Sequence, residues 1–311
     1  NNYQIIFFIG RKFEPSTAQL PPGKLMDKPV NSIFELDRPN TQTIPFVFSS
    51  PHSGTNYLES FVTNSKLDPL TLRGSEDSFV DDLFAEVPNY GAPFLKALFP
   101  RAYLDPNREA YELDQQMFLE RLPEFVNTNS PRVFAGLGTV PRVITNGAEI
   151  YQSKLPFEEA KHRINSCYLP YHAALKDLIK ETKLKFGKCI LIDCHSMPSV
   201  SASINNDNYN KNVDIVLGNK HGKTCAHELM QFVESHLKNL DLSVRRNHPY
   251  AGGYTTKHYG NPNNDVHTLQ IEVNRASYMD EETITRKHGF IIIKNKLSNL
   301  VQALAEATFN F

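Results

Sequence analysis

The 311-residue chain predicts an α/β fold, a sheet covered by helices on both faces. Two observations carry this. Short apolar runs such as 189-CILI-192, 213-VDIVL-217 and 267-HTLQIEV-273 alternate with longer segments whose apolar residues recur at helical spacing. No internal repeat, low-complexity tract or linker divides the chain, so a single domain is expected.

Taken in order, residues 1–44 read as an extended N-terminal arm, rich in Pro, Thr, Asn and Gln from residue 11, and 45–311 as the domain itself. The first buried strand is expected at 45–51, ended by Pro51 and followed by a turn at His52-Ser53-Gly54. Phe79, Val80, Leu83, Phe84 and Val87 fall at helical spacing and predict a helix over 77–87. Segments 93–99 and 131–144 read as strands or irregular stretches punctuated by Gly and Pro. A long helix fits 156–185, with Pro156 at its start, two glutamates in its first turn and lysines before Gly187. Strands then follow at 188–194 and 213–217, a helix at 223–240, strands at 242–246 and 267–273, and a closing helix over 281–307.

Composition narrows the function classes. With 33 basic and 34 acidic residues, no global field recruits nucleic acid or an anionic membrane. No apolar stretch reaches the roughly 20 residues needed to span a bilayer. The first fifteen residues place their basic residues after a short apolar run, which is a poor secretory signal. Four cysteines without a CxxC pair suit reduced thiols, so a cytoplasmic enzyme is expected.

Three predicted strands end in polar clusters: SSPHSG, IDCHS and IEVNR. Ligands of open α/β sheets sit at the carboxyl ends of strands, so His52, His195 and Glu272 converge if these strands are parallel neighbours. Two histidines beside carboxylates suit zinc-assisted hydrolysis, in which the protein supplies three N/O ligands and a separate carboxylate takes the proton of the attacking water. Glu76 or Asp77 can supply the oxygen, and Glu272 remains as the base. Cys194 and His195 point to opposite faces of a strand, so Cys194 is read as buried filler rather than a nucleophile. Ser53 lacks the context of a nucleophile elbow. Arginines suited to bidentate capture of carboxylates stand in 100-PRAYLDPNRE-109, at Arg142 and in Asn274-Arg275. The paired glycines and tyrosines of 249-PYAGGYTTKHYG-260 read equally as a pocket wall or as a structural turn.

The ordered set SPHSG, EDSFVDDLF, PRAYLDPNRE, IDCHSMPS, PYAGGYTTKHYG and LQIEVNRASYMDE resembles the N-formylglutamate amidohydrolase (deformylase) family, from about residue 45 to about residue 285. The resemblance implies a phosphorylase/hydrolase-like fold with a mixed sheet, related to zinc carboxypeptidases. It also implies hydrolysis of N-formyl-L-glutamate to glutamate and formate, the last step of one histidine-degradation route. On the matching motifs, His52 and His195 resemble histidine ligands of one zinc ion, although another divalent metal fits the same donors. Thr55 stands where His-x-x-Glu would place an acid, so the acidic ligand is expected from EDSFVDD, at Asp77 with Glu76 as the alternative. Glu272 resembles the general base. Arg108, Arg275 and Arg142 would hold the carboxylates of this small acidic substrate, with Asn107 and Asn274 as hydrogen-bonding partners, and Asp193 reads either as orienting a ligand or as a simple turn residue. Alternatives are the same chemistry on another N-acyl amino acid or short peptide, and a non-catalytic binding protein on this fold.

Overall fold

The computed structural model describes residues 32–199 and 213–311. Among these, seven strands form one mixed sheet in the order β1-β3-β2-β4-β7-β5-β6. The strands are β1 (Phe34–Asp37), β2 (Phe46–Ser50), β3 (Phe94–Ala97), β4 (Cys189–Met197), β5 (Ile215–Gly218), β6 (Val244–Arg246) and β7 (Val266–Asn274). At its centre β3, β2, β4 and β7 run parallel, while β1 and β5 lie antiparallel to their neighbours β3 and β7. The three polar strand ends therefore belong to adjacent parallel strands, which meets the condition set for His52, His195 and Glu272 to converge.

The central strands alternate between two buried faces. Phe46, Phe48, Ile190, Ile192, Cys194 and Ile271 enter one core. Against them pack the short α3 (Val80–Leu83), α7 (His227–Asn239) and α9 (Gly289–Glu306). Val47, Leu95 and Leu191 enter the other core, under α1 (Glu59–Thr63), α2 (Pro69–Arg73), α5 (Phe157–Arg163) and α6 (Leu169–Phe186). Two further short helices are α4 (Pro131–Phe134) and α8 (Tyr254–Tyr259), the latter leading through Asn261 to the start of β7.

Several expectations are corrected. Residues 34–37 of the expected arm pair with β3 as the edge strand β1, because alternating Phe34 and Leu36 pack on the second core; residues 1–31 lie outside the described ones. The 77–87 helix is one turn, α3, followed by a 3-10 turn at Val87–Tyr90, where Pro88 interrupts it. Of the two readings of segment 131–144 the irregular one holds, with the short α4 at its start and Ser130 Oγ accepting from Val133 N. β4 runs past Cys194 to Met197, because its pairing with β7 continues through His195↔Glu272 to Met197↔Asn274. The closing helix starts at Gly289, after a hairpin of Met279–Asp280 with Thr285–Arg286.

The long helix predicted at 156–185 is present but carries a π-turn, Ile164–Tyr168, between α5 and α6. Pro170 cannot donate to the carbonyl four residues back and its ring would crowd that carbonyl, so the helix widens just ahead of it.

Candidate active site

The site is built on the second face of the sheet, beyond the carboxyl ends of β2, β4 and β7. Leu191 fixes the parity of β4, so Asp193 and His195 share its face while Cys194 joins the opposite core. On β7 the same parity aligns Gln270 and Glu272, with Glu272 paired in register with His195. β2 ends at Ser50, and the following turn delivers His52, whose carbonyl accepts from Asp77 N at 3.0 Å. A Cβ on Gly54 would fall 2.2 Å from Phe99 O, so glycine allows this turn to lie against the segment leading into 101–108.

His52, Asp77 and His195 meet with one ligand-type atom from each lying within 4.8 Å of the others. All three are buried. Asp77 Oδ2 lies 3.0 Å from His195 Nδ1 and 3.4 Å from His52 Nδ1. His52 Nδ1 has no hydrogen-bond partner among the described residues. Its other nitrogen, Nε2, contacts Asp105 Oδ1 at 2.7 Å. An orphaned buried ring nitrogen aimed at a carboxylate, with the opposite nitrogen fixed by a second carboxylate, fits a divalent metal: N, O and N donors with an orienting outer partner. His195 Nε2 stands 2.9 Å from Asp193 Oδ2, and Asp193 Oδ1 accepts from Ser49 Oγ at 3.0 Å.

Charge dominates the protonation states. Burial alone would raise the Asp77 carboxyl, but the bond from His195, the close His52 ring and the field of Arg275 outweigh it and hold it well below the usual carboxylate range. Asp105 is likewise held low, against burial, by Arg108, His52 and Arg101. Glu272 goes the other way: burial first, with the charge of Asp77, pushes it up to about 8. Two kinds of carboxylate, permanently ionised and proton-exchanging, thus share one site.

The cavity above these groups has a volume of about 150 Å³ and is lined by Arg101, Arg108, Arg132 and Arg275 against Asp77, Asp105 and Glu272. Four guanidiniums against three carboxylates favour an anionic ligand. Three arginines are already engaged. Arg275 donates to Asp77 Oδ1 at 2.9 Å and to Ser196 Oγ at 3.0 Å. Arg101 donates to Asp105 Oδ2 at 3.0 Å. Arg108 lies 3.3 Å from the same oxygen and donates to the carbonyls of Leu137 and Asn107; burial lowers its pKa to about 10. Arg132, on α4, is exposed, and its guanidinium makes no hydrogen bond or ion pair among the described residues.

Of the residues expected from sequence, His52, Asp77, His195, Glu272, Asn107, Arg108 and Arg275 line this one cavity. Three do not. Glu76 turns away to Arg73, Tyr57 and Ser78, because its alternation with Asp77 sends it to the far side of the loop. Arg142 is held by Asp114 at 2.7 Å and Glu149 at 3.4 Å, outside the cavity. Asn274 caps the next turn through Ala276 N and donates to Val213 O, so its amide is spent on backbone. The 249–260 segment does form a wall through Pro249, Tyr250 and Ala251 to Gly253.

Sequence reasoning gave no role to Asp105, Arg132, Gln270 or Ser196. Gln270 could have been found, since its position two residues before Glu272 on a strand puts both on one face. Nothing in the sequence marks the support of the 103–108 loop. Arg163, Tyr168 and His172 donate to the carbonyls of Tyr103 (3.1 Å), Arg108 (2.8 Å) and Pro106 (2.9 Å). Burial lowers His172 to about 4. It is therefore neutral, with Nε2–H donating to Pro106 O and Nδ1 accepting from Tyr259 Oη at 2.7 Å.

Residues 44–279 match the family described as N-formylglutamate amidohydrolase. The chain is similar to the N-formylglutamate deformylase of Pseudomonas aeruginosa, with 25% identity over 242 residues covering 77% of this chain and 84% of that protein. Among solved structures it is similar to the N-formylglutamate amidohydrolase from Ralstonia eutropha JMP134, with a TM-score of 0.82 and 35% identity over 88% of this chain and 97% of that one. A protein of Agrobacterium tumefaciens shares the fold, with a TM-score of 0.62 and 16% identity over 88% of this chain and 95% of that one.

Proposed function

The chain belongs to the N-formylglutamate amidohydrolase family and is an amidohydrolase, and from that premise we propose that it hydrolyses N-formyl-L-glutamate to L-glutamate and formate. The observation that carries the chemistry is the convergence of His52, Asp77 and His195 with Glu272 at the floor of an arginine-lined cavity. His52 and His195 would hold a divalent ion, zinc by its donor set, together with Asp77. Such an ion supplies Lewis acidity toward the formyl oxygen and acidity to water.

The chain's own groups do the rest. Glu272 accepts a proton from the water that attacks the formyl carbon and returns it to the amine nitrogen as the C–N bond breaks. Its raised pKa suits this exchange near neutral pH. Arg101, 3.9 Å from Asp77 Oδ1, adds positive charge where the oxyanion develops. Arg132 meets a substrate carboxylate as a free guanidinium, and Arg108 and Arg275 add their fields to the same dianion. Asp105 and Asp193 orient His52 and His195. The products are those of the last step of histidine degradation by the family route, and this reading assigns the enzyme there. Four free buried cysteines suit a reducing cytoplasm.

Purified protein assayed on N-formylglutamate, N-formylaspartate, N-acetylglutamate and C-terminal dipeptides, alongside metal analysis, tests this. The expected result is about one metal per chain and a preference for N-formylglutamate by orders of magnitude in kcat/KM. A metal-free active enzyme would refute the metal assignment, and preference for another substrate would refute the deformylase reading.

A further inference from the structure

Gln270 is buried on β7 and lines the cavity beside Glu272. Its Oε1 accepts from Gly253 N at 2.7 Å and from Thr256 Oγ1 at 3.4 Å. A backbone N–H can only donate, so the amide oxygen must face the 253–256 segment. The amide nitrogen must then face Glu272, and Nε2 donates to Glu272 Oε1 at 2.6 Å. Flipping the amide would set two donors, Gly253 N–H and Nε2–H, against each other. The orientation is therefore forced by geometry.

We propose that Gln270 is a positioning residue that reserves Glu272 Oε1 as a permanent hydrogen-bond acceptor and leaves Oε2 as the atom that takes and returns the proton. This rests on the reading of Glu272 as the base. During the reaction the water O–H bond breaks toward Oε2 as the new C–O bond forms. The same proton then leaves Oε2 for the amine nitrogen as the C–N bond breaks. The carboxylate does not have to rotate between the two transfers, because its other oxygen stays bonded to Gln270.

The same wall also sets the group across the cavity. Thr255 N donates to Asn107 Oδ1 at 2.8 Å, and Asn107 Nδ2 lies 3.2 Å from His195 Nε2. A Cβ on Gly253 would fall 2.3 Å from the Asn107 amide, so glycine is required where this wall meets Asn107. One short stretch, 253–256, thus aligns the base through Gln270 and contacts the histidine side through Asn107.

The test is a double-mutant cycle on the metal-loaded enzyme, read as kcat and KM separately. Gln270→Met removes the donor to Glu272. Gln270→Glu keeps an acceptor for Gly253 N, guarding against loss of fold, and replaces the neutral amide donor by a carboxyl that competes with Glu272 for one proton. Either is expected to lower kcat about 10- to 100-fold, the worth of a hydrogen bond to a charged group, with KM, metal content and Tm near wild type. In the Glu272→Gln background the same substitutions should change the residual kcat by less than about 3-fold, since the residue acts through Glu272. A wild-type kcat in both variants, or an equal drop in both backgrounds, overturns the proposal. Full activity in Glu272→Gln alone would instead overturn the underlying assignment of the base.

Discussion

Asp105 receives more donors than any other carboxylate of the site, and replacing it by Asn separates two of its functions. Oδ1 serves His52 Nε2 at 2.7 Å and Asn107 N at 2.8 Å, while Oδ2 serves Arg101 at 3.0 Å and Arg108 at 3.3 Å. In Asp105→Asn the amide oxygen can keep the first pair, which forces the amide nitrogen toward the two guanidiniums. Arg108 is enclosed, so it loses its counter-charge without gaining water; Arg101 is partly solvated and retains Asp77 at 3.9 Å. Breaking one buried pair in this way costs about 3–5 kcal/mol. The bond to His52 becomes neutral and weaker, which should lower metal affinity about 10- to 100-fold. The sign of the pH effect follows from the depressed Asp105 pKa: its contribution is present above the ordinary carboxylate range and is lost as pH falls through the folded value. Urea unfolding of the metal-free protein between pH 3 and 7, with chelator competition on the loaded enzyme, measures both. Asp105→Asn should unfold at lower urea at pH 7, converge on wild type in acid, and surrender metal sooner. An unchanged urea midpoint together with unchanged chelator resistance would refute the reasoning.

Other outcomes follow from the same geometry. Glu272→Gln should lower kcat by about 10²–10⁴-fold while still binding metal. Because Glu272 is raised to about 8 in the fold, metal-free wild type should lose stability as pH rises from about 4.5 through 8, and Glu272→Gln should lack that slope in urea titrations. Arg132→Ala should raise KM for a dicarboxylate substrate about 10-fold or more, whereas Arg142→Ala, outside the cavity, should leave kcat/KM within about 3-fold. Cys194→Ala should remain active, since burial drives its thiol far above the range where a thiolate forms.

What the sequence made legible was local parity and strand endings. The clusters SSPHSG, IDCHS and IEVNR end adjacent parallel strands, so His52, His195 and Glu272 meet where the motifs point. The opposite facings of Cys194 and His195 follow from strand alternation alone. Less legible was anything decided by contacts between distant segments. Arg142 follows a proline in a plausible site loop, yet Asp114 and Glu149 draw it away. Asn274 directly follows the Glu272 strand, but the turn into Arg275 needs its side chain as a cap. Asp105 lay inside a recognised motif, but its role depends on His52, 53 residues earlier, and so on the path of the whole loop. The early start expected for the last helix failed because Asp280 organises a tight turn, accepting from the Glu282 and Thr283 amides.

The π-turn at Ile164–Tyr168 has a consequence for how this enzyme can vary. In an uninterrupted α-helix each residue turns about 100°, so Tyr168 would face roughly 140° away from Arg163. The wider turn absorbs one residue and brings Arg163, Tyr168 and His172 onto one side, where they grip three carbonyls of the loop carrying Asp105, Asn107 and Arg108. The helix therefore works like a key cut for one tooth spacing. Point changes along its outer surface are tolerable, and deletion of the one absorbed residue within 164–168 would restore a plain α-helix with the later teeth still in phase, whereas a deletion between Leu169 and His172 would swing His172 by about 100°. Loss of one residue should accordingly be tolerated at the π-turn itself and excluded from the following turn, whose phase sets His172 and the buried Tyr171, Leu175 and Leu178.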